Sequence, residues 1–126
     1  MENFFLNATP KTPKLNFDVG QGVFEITGRS IPENSIEFYR PLLRWLDDYI
    51  QEPNESTHLK IVLEYFNTSS SKCLVEIFRR FEVLHKKGQK LKIDWYYEKE
   101  DEDILESGQD FKDIMKIPID MVLIND

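Results

Sequence analysis

The densest group of reactive side chains in this sequence is the hydroxyl run Asn67-Thr68-Ser69-Ser70-Ser71. Hydroxyls in such a run can cap a helix, attack a substrate if a base lies beside one, or accept a phosphoryl group. Nucleophilic chemistry would need His85 as base for Ser70, but along one helix the two lie about 22 Å apart, too far to hydrogen-bond. His58 and His85 are distant in sequence, and the lone Cys73 offers no ligand spacing for zinc and no internal disulfide. Glu98, Glu100, Asp101, Glu102 and Asp103 form an acidic cluster without the ordered spacing and central glycine of a calcium loop, so it reads as a solvated turn. Gly20-Gln21-Gly22 has no third glycine at dinucleotide-loop spacing, and no phosphate-binding P-loop signature occurs. The expectation is a protein that is not an enzyme, with no cofactor and no metal.

The elements that position the hydroxyl run follow from periodicity. Residues 1–13, with Pro10 and Pro13, read as an extended lead-in. Leu15, Phe17 and Val19 alternate with polar neighbours, as do Phe24 and Ile26, and the glycine turn between them predicts a β-hairpin. Asn34 is an N-cap candidate, with Glu37 completing a box-like helix start. The helix from Ser35 to about Ile50 buries Tyr39, Leu42, Leu43, Leu46 and Ile50 on one face. Phe38, Trp45 and Tyr49 form a second stripe, which either packs under neighbouring segments or presents an aromatic partner surface. Pro41 inside this pattern predicts a kink or a start in two pieces.

His58 to Phe66 reads as an interior strand, with Leu59, Ile61, Leu63 and Tyr65 on one face. A second amphipathic helix begins near Ser69 and ends at Gly88, with His85, Lys86 and Lys87 complementing its dipole. Lys90 to Tyr97 is a strand, Ile104 to Met115 a short helix around Gly108, and Ile117 to Ile124 a last strand. The order is β-β-α-β-α-β-α-β. It implies an α/β domain spanning residues 1–126, with a mixed sheet of about five strands and crossover helices.

Composition narrows the function classes. The chain has 126 residues, 40% of them hydrophobic, enough for one domain with a real core. A net charge of −7 disfavours nonspecific binding to nucleic acid or an anionic membrane, since both need a basic footprint. No apolar run approaches the length of a membrane span, and the N-terminus lacks the pattern of a signal peptide, so a cytoplasmic location is expected.

At the junction itself, Thr68 ends a strand and opens a helix. Its hydroxyl can serve as N-cap. A phosphate at the same place would meet free backbone N–H groups and the positive end of the helix dipole, worth about 0.3–1 kcal/mol. It would add about −1.5 to −2 charges, with Lys72 one turn on as a counter-ion.

Gly28-Arg-Ser-Ile-Pro-Glu-Asn-Ser35, Leu63-Glu-Tyr-Phe-Asn-Thr-Ser-Ser70 and the strand from Gly88 to Trp95 resemble the SiaC family of bacterial regulatory phosphoproteins. The likeness runs from about Thr9 to Ile124, and extends more distantly to STAS domains of the anti-anti-sigma type. The resemblance implies a STAS-like fold with Thr68 as phosphoacceptor and Asn67, Ser69, Ser70 and Lys72 around the phosphate. It implies a histidine-kinase-like Ser/Thr kinase, a PP2C-type phosphatase, and a diguanylate cyclase that the unphosphorylated form binds and activates, in control of cyclic di-GMP and biofilm growth. Phosphorylation would release the cyclase. The STAS likeness leaves a sigma-factor antagonist as the alternative target. A small-ligand domain using His58 and the acidic turn is a more remote alternative.

Overall fold

The computed structural model describes residues 1–124. Nine elements follow one another: β1 (Phe4–Leu6), β2 (Lys14–Asp18), β3 (Val23–Ser30), α1 (Ser35–Tyr49), β4 (Ser56–Phe66), α2 (Thr68–Lys86), β5 (Lys90–Glu98), α3 (Glu102–Met115) and β6 (Ile119–Ile124). The strands form one mixed sheet in the order β1-β2-β3-β4-β5-β6. β1, β2 and β3 pair antiparallel, while β3 to β6 run parallel through the three helical crossovers. The α/β class expected from the element order is therefore present, with one strand more than expected. The extra strand lies inside the expected lead-in, where Phe4 pairs with Phe17 and Leu6 with Leu15. A three-residue strand is too short to show periodicity, so only its pairing identifies it.

The helices pack on one face of the sheet, over Phe24, Ile26, Leu59, Ile61, Ile93 and Trp95, all fully buried. The opposite face carries half-buried Glu25, His58, Lys60 and Tyr96. α3 approaches the sheet so closely that a Cβ on Gly108 would lie 2.4 Å from Trp95 Cδ1. The Trp95 indole donates to the Ile104 carbonyl at 2.8 Å, which fixes the ring beneath the helix.

Local sequence explains the helix limits. Asn34 Oδ1 accepts from the Glu37 amide at 3.1 Å and opens α1 as expected. α1 then continues unbroken through Pro41. The proline frees only the carbonyl of exposed Glu37, which is open to solvent, so the helix does not start in two pieces. α2 ends in a Schellman motif: Gly88 adopts φ +77°, its amide bonds the His85 carbonyl, and the Gln89 amide bonds that of Leu84.

β4 departs from its expected pattern near the end. Its register against β3 passes from Gly28↔Leu63 to Arg29↔Tyr65, so Glu64 is an extra residue and a β-bulge. The bulge inverts the alternation. Tyr65, expected on the core face, is 52% exposed, and Phe66 instead packs edge-on against Trp95 at 6.0 Å.

Candidate functional site

The bulge in β4 delivers the chain to the hydroxyl run at the carboxyl end of the parallel strands. Asn67, and not Thr68, is the N-cap of α2: its Oδ1 accepts from the Ser70 amide at 2.9 Å. Thr68 stands at the first helical position. Asparagine caps at least as well as threonine, and the helix begins at Thr68, one residue before the start near Ser69 that a Thr68 cap assumed. The consequence is chemical. Capping is done by its neighbour, so the Thr68 hydroxyl faces solvent outside the capping bond.

The run is divided by burial. Thr68 and Ser69 are exposed, Ser71 is half-buried, and Ser70 is fully buried. Ser70 Oγ donates to the Ser30 carbonyl at 2.9 Å and accepts from Ser30 Oγ at 2.8 Å. Ser30 Oγ also meets Tyr39 Oη at 2.6 Å, and Ser70 Oγ lies 3.3 Å from Ser35 Oγ. Ser35 Oγ in turn bonds Ser69 Oγ at 2.8 Å. A chain of hydroxyls thus fastens the first turn of α2 to the first turn of α1 and to the end of β3. Burial pushes the Tyr39 phenol well above its ordinary range, partly offset by its hydrogen bond with Ser30. Ser70, expected beside a phosphate, belongs to this interior chain. Ser30, Ser35 and Tyr39, from β3 and α1, were not singled out as partners of the hydroxyl run from sequence, because they lie far from Ser70 in the chain.

The same arrangement sets the electrostatics. The first helical bond of α2 runs from the Ser71 amide to the Asn67 carbonyl, so the Thr68 and Ser69 amides precede any intrahelical acceptor. The starts of α1 and α2 are tied together by the Ser35–Ser69 bond, so two positive dipole ends face one region. Lys72 is exposed and four residues beyond Thr68, on the same helix face. Cys73 is buried in α2, and its thiol is pushed up by burial first and by Glu76 second, which suppresses thiolate chemistry.

The other candidates separate from this site. Tyr49 is fully buried, with its hydroxyl 2.6 Å from Thr57 Oγ1. Trp45 stacks on Tyr49 with centroids 5.6 Å apart, meets Phe17 and Phe24 edge-on, and donates its indole N–H to the Glu2 carbonyl. Phe38 is half-buried against Tyr39. The stripe considered as a partner surface is thus mostly interior: Glu2 and Phe4 cover Trp45, and Tyr49 packs against Phe24 and Thr57.

His58 Nε2 lies 2.7 Å from Asp94 Oδ2, a cross-strand pair on the sheet face opposite the helices. Asp94 is buried, and its Oδ1 has no hydrogen-bond partner. His58 is roughly 20 Å from the acidic turn by strand rise, so those two groups do not form one pocket. The turn itself caps α3, with Asp101 Oδ1 accepting from the Ile104 amide at 3.0 Å. Among the described residues, no group of three or more His, Cys, Asp or Glu side chains is placed to hold a metal ion. No helix among them is long and apolar enough to cross a membrane.

Comparison with known proteins places this geometry in a family. A Pseudomonas aeruginosa (strain UCBPP-PA14) protein without a described function is 27% identical over 118 residues, 94% of each chain. The structure of SiaC of Pseudomonas aeruginosa matches with a TM-score of 0.89 at 25% identity, covering 98% of this chain and all of that one. A structure of the diguanylate cyclase SiaD in complex with its activator SiaC, from the same organism, matches at TM-score 0.90 and 26% identity. It covers 96% of this chain and 99% of the matched one. Residues 6–124 match the family described as SiaC family regulatory phosphoprotein, and the chain belongs to that family.

Proposed function

We propose that this chain is a non-enzymatic phosphoswitch adaptor that binds and activates a diguanylate cyclase when unphosphorylated and releases it when Thr68 is phosphorylated. The observation that carries the reading is the division of labour at the start of α2. Asn67 caps the helix, Ser70 locks it to the interior, and Thr68 is left facing outward beside unbonded amides. A phosphoryl group there would be held without disturbing the fold. Stabilisation by one helix end is about 0.3–1 kcal/mol, small beside the effect of placing about −1.5 to −2 charges on a docking surface. The switch therefore works by altering what can dock, not by unfolding the domain.

The relative in complex with a cyclase supports that class of target for this chain. Asn67, Ser69 and Lys72 form the phosphate environment. A histidine-kinase-like Ser/Thr kinase and a PP2C-type phosphatase set the phosphorylation state, all acting in the cytoplasm.

Incubation with the cognate kinase and ATP, followed by intact-mass measurement, tests the acceptor. One phosphate should be added to the wild-type chain and none to Thr68→Ala. Cyclic di-GMP output of the cognate cyclase should rise with the unphosphorylated chain and with Thr68→Ala, and fall back on phosphorylation of the wild type. A phosphate that persists in Thr68→Ala would reject the assignment. Recovery of an anti-sigma kinase in place of a cyclase on co-purification would move the switch to a sigma-factor antagonist.

A further inference from the structure

The groove between α1 and α2 lies one turn from Thr68, and its composition differs from the rest of the surface. It encloses about 280 Å³ and is lined by Ile36, Arg40, Leu43, Lys72, Cys73 and Glu76. Ile36, on the first turn of α1 and next to the Ser35–Ser69 tie, is 64% exposed. A β-branched side chain left this open on a helix contributes little to the domain's own core. We propose that this groove grips the cyclase, and that its occupant is an acidic-apolar segment of that partner: an apolar side chain seated on Ile36, Leu43 and Cys73, with carboxylates reaching Arg40 and Lys72. The inference rests on the phosphoswitch reading above.

Charge selects this occupant. The protein carries a net −7, yet no ion pair among the described residues engages Arg40 or Lys72. The one acid in the lining, Glu76, is paired with Arg79 at 3.3 Å and Arg80 at 2.8 Å. The groove therefore presents two uncompensated cations around an apolar floor. A second copy of this chain would bring the same cations against them in a symmetric contact. Nucleic acid would gain two cations against an acidic whole. A partner carboxylate beside an apolar side chain satisfies both features.

The same placement explains release. Thr68 and Lys72 are spaced i, i+4 on α2, so a phosphate on Thr68 competes directly for the lysine that the partner's carboxylate uses. The remaining negative charge then repels the acidic segment from the groove mouth.

The test measures affinity of the unphosphorylated chain for the purified cognate cyclase, comparing Ile36→Ser, Lys72→Glu and the control Lys86→Glu. Lys86 is exposed in the last turn of α2, so its reversal makes the same change in net charge far from the groove. Ile36→Ser and Lys72→Glu should each weaken binding about tenfold or more, with Lys86→Glu within about twofold. Wild-type affinity should fall with salt, and the Lys72→Glu affinity should fall less. Thermal unfolding of Ile36→Ser and Lys72→Glu should match the wild type, since both residues are exposed, while Lys86→Glu loses its pair with Glu82 and its favourable place at the helix end and should melt slightly lower. Wild-type affinity in Ile36→Ser and Lys72→Glu would overturn the groove while leaving the phosphoswitch standing. Equal weakening by Lys86→Glu would overturn it too, since the attraction would then be diffuse. A wild-type chain that fails to bind the cyclase would overturn the underlying reading, and the groove with it.

Discussion

Replacing Ser70 by alanine should destabilise the protein by about 2 kcal/mol, although only one oxygen is lost. The hydrogen inventory of the buried chain explains the size. Ser70 gives its proton to the Ser30 carbonyl, so Ser30 must give its own to Ser70, and Tyr39 its own to Ser30. Without Ser70, the Ser30 carbonyl still accepts from the Asn67 amide at 3.1 Å, but one buried hydroxyl proton is left with no acceptor. A stranded buried donor costs roughly 1–3 kcal/mol. Ser30→Ala strands the Tyr39 proton for a similar cost, while Ser70 keeps its bond to the carbonyl. The double variant strands only one proton, so its loss should be about 2 kcal/mol and not the sum of about 4. Adding Tyr39→Phe removes the last stranded donor and should return part of the lost stability. Urea unfolding at pH 7 measures each step, and each single variant should lower Tm by roughly 6–10 °C for a chain of this size. Single losses below about 0.5 kcal/mol, or a double loss equal to the sum, would refute the proton count.

Two further outcomes follow from the core. The Tyr39 phenol is raised above its unfolded value near 10, so its contribution to stability is fully present below about pH 10 and is lost as pH rises toward the folded value. The urea midpoint of the wild type should therefore fall more steeply above pH 10 than that of Tyr39→Phe, and equal slopes would reject the assignment. Gly108→Ala places a Cβ 2.4 Å from Trp95 Cδ1, and the indole is held by its bond to the Ile104 carbonyl. Overpacking costs about 1–3 kcal/mol against a helix-propensity gain of about 1, so a net loss is expected together with a shift in tryptophan fluorescence.

Local features were legible from the sequence because they depend on neighbours in the chain. The hairpin around Gly20-Gln21-Gly22, the Asn34 cap, the amphipathic faces of α1 and α2, and the Gly88 terminus each rest on residues within a few positions of one another. The location of the hydroxyl run at a strand-to-helix junction was readable for the same reason. What the run could do was not. Asn67 takes the cap from Thr68 because its own side chain reaches the Ser70 amide and starts the helix one residue earlier, and Tyr65 and Phe66 exchange faces because a bulge enters the pairing of β4 with β3. Trp45 loses its place in a surface stripe only when the N-terminal segment, more than 30 residues away in the chain, folds over it, and Tyr49 when Phe24 and Thr57 meet it.

By itself, then, the sequence determined an α/β chain with a hydroxyl-rich junction between a strand and a helix, since periodicity and capping are properties of short stretches. Tertiary structure decided which hydroxyl is free. Ser70 is drawn inward by Ser30, Ser35 and Tyr39 from two other elements, while Thr68 stays outside, and no spacing within residues 67–71 encodes that difference. Burial is a contact among distant parts of the chain, so it is settled only when those parts meet.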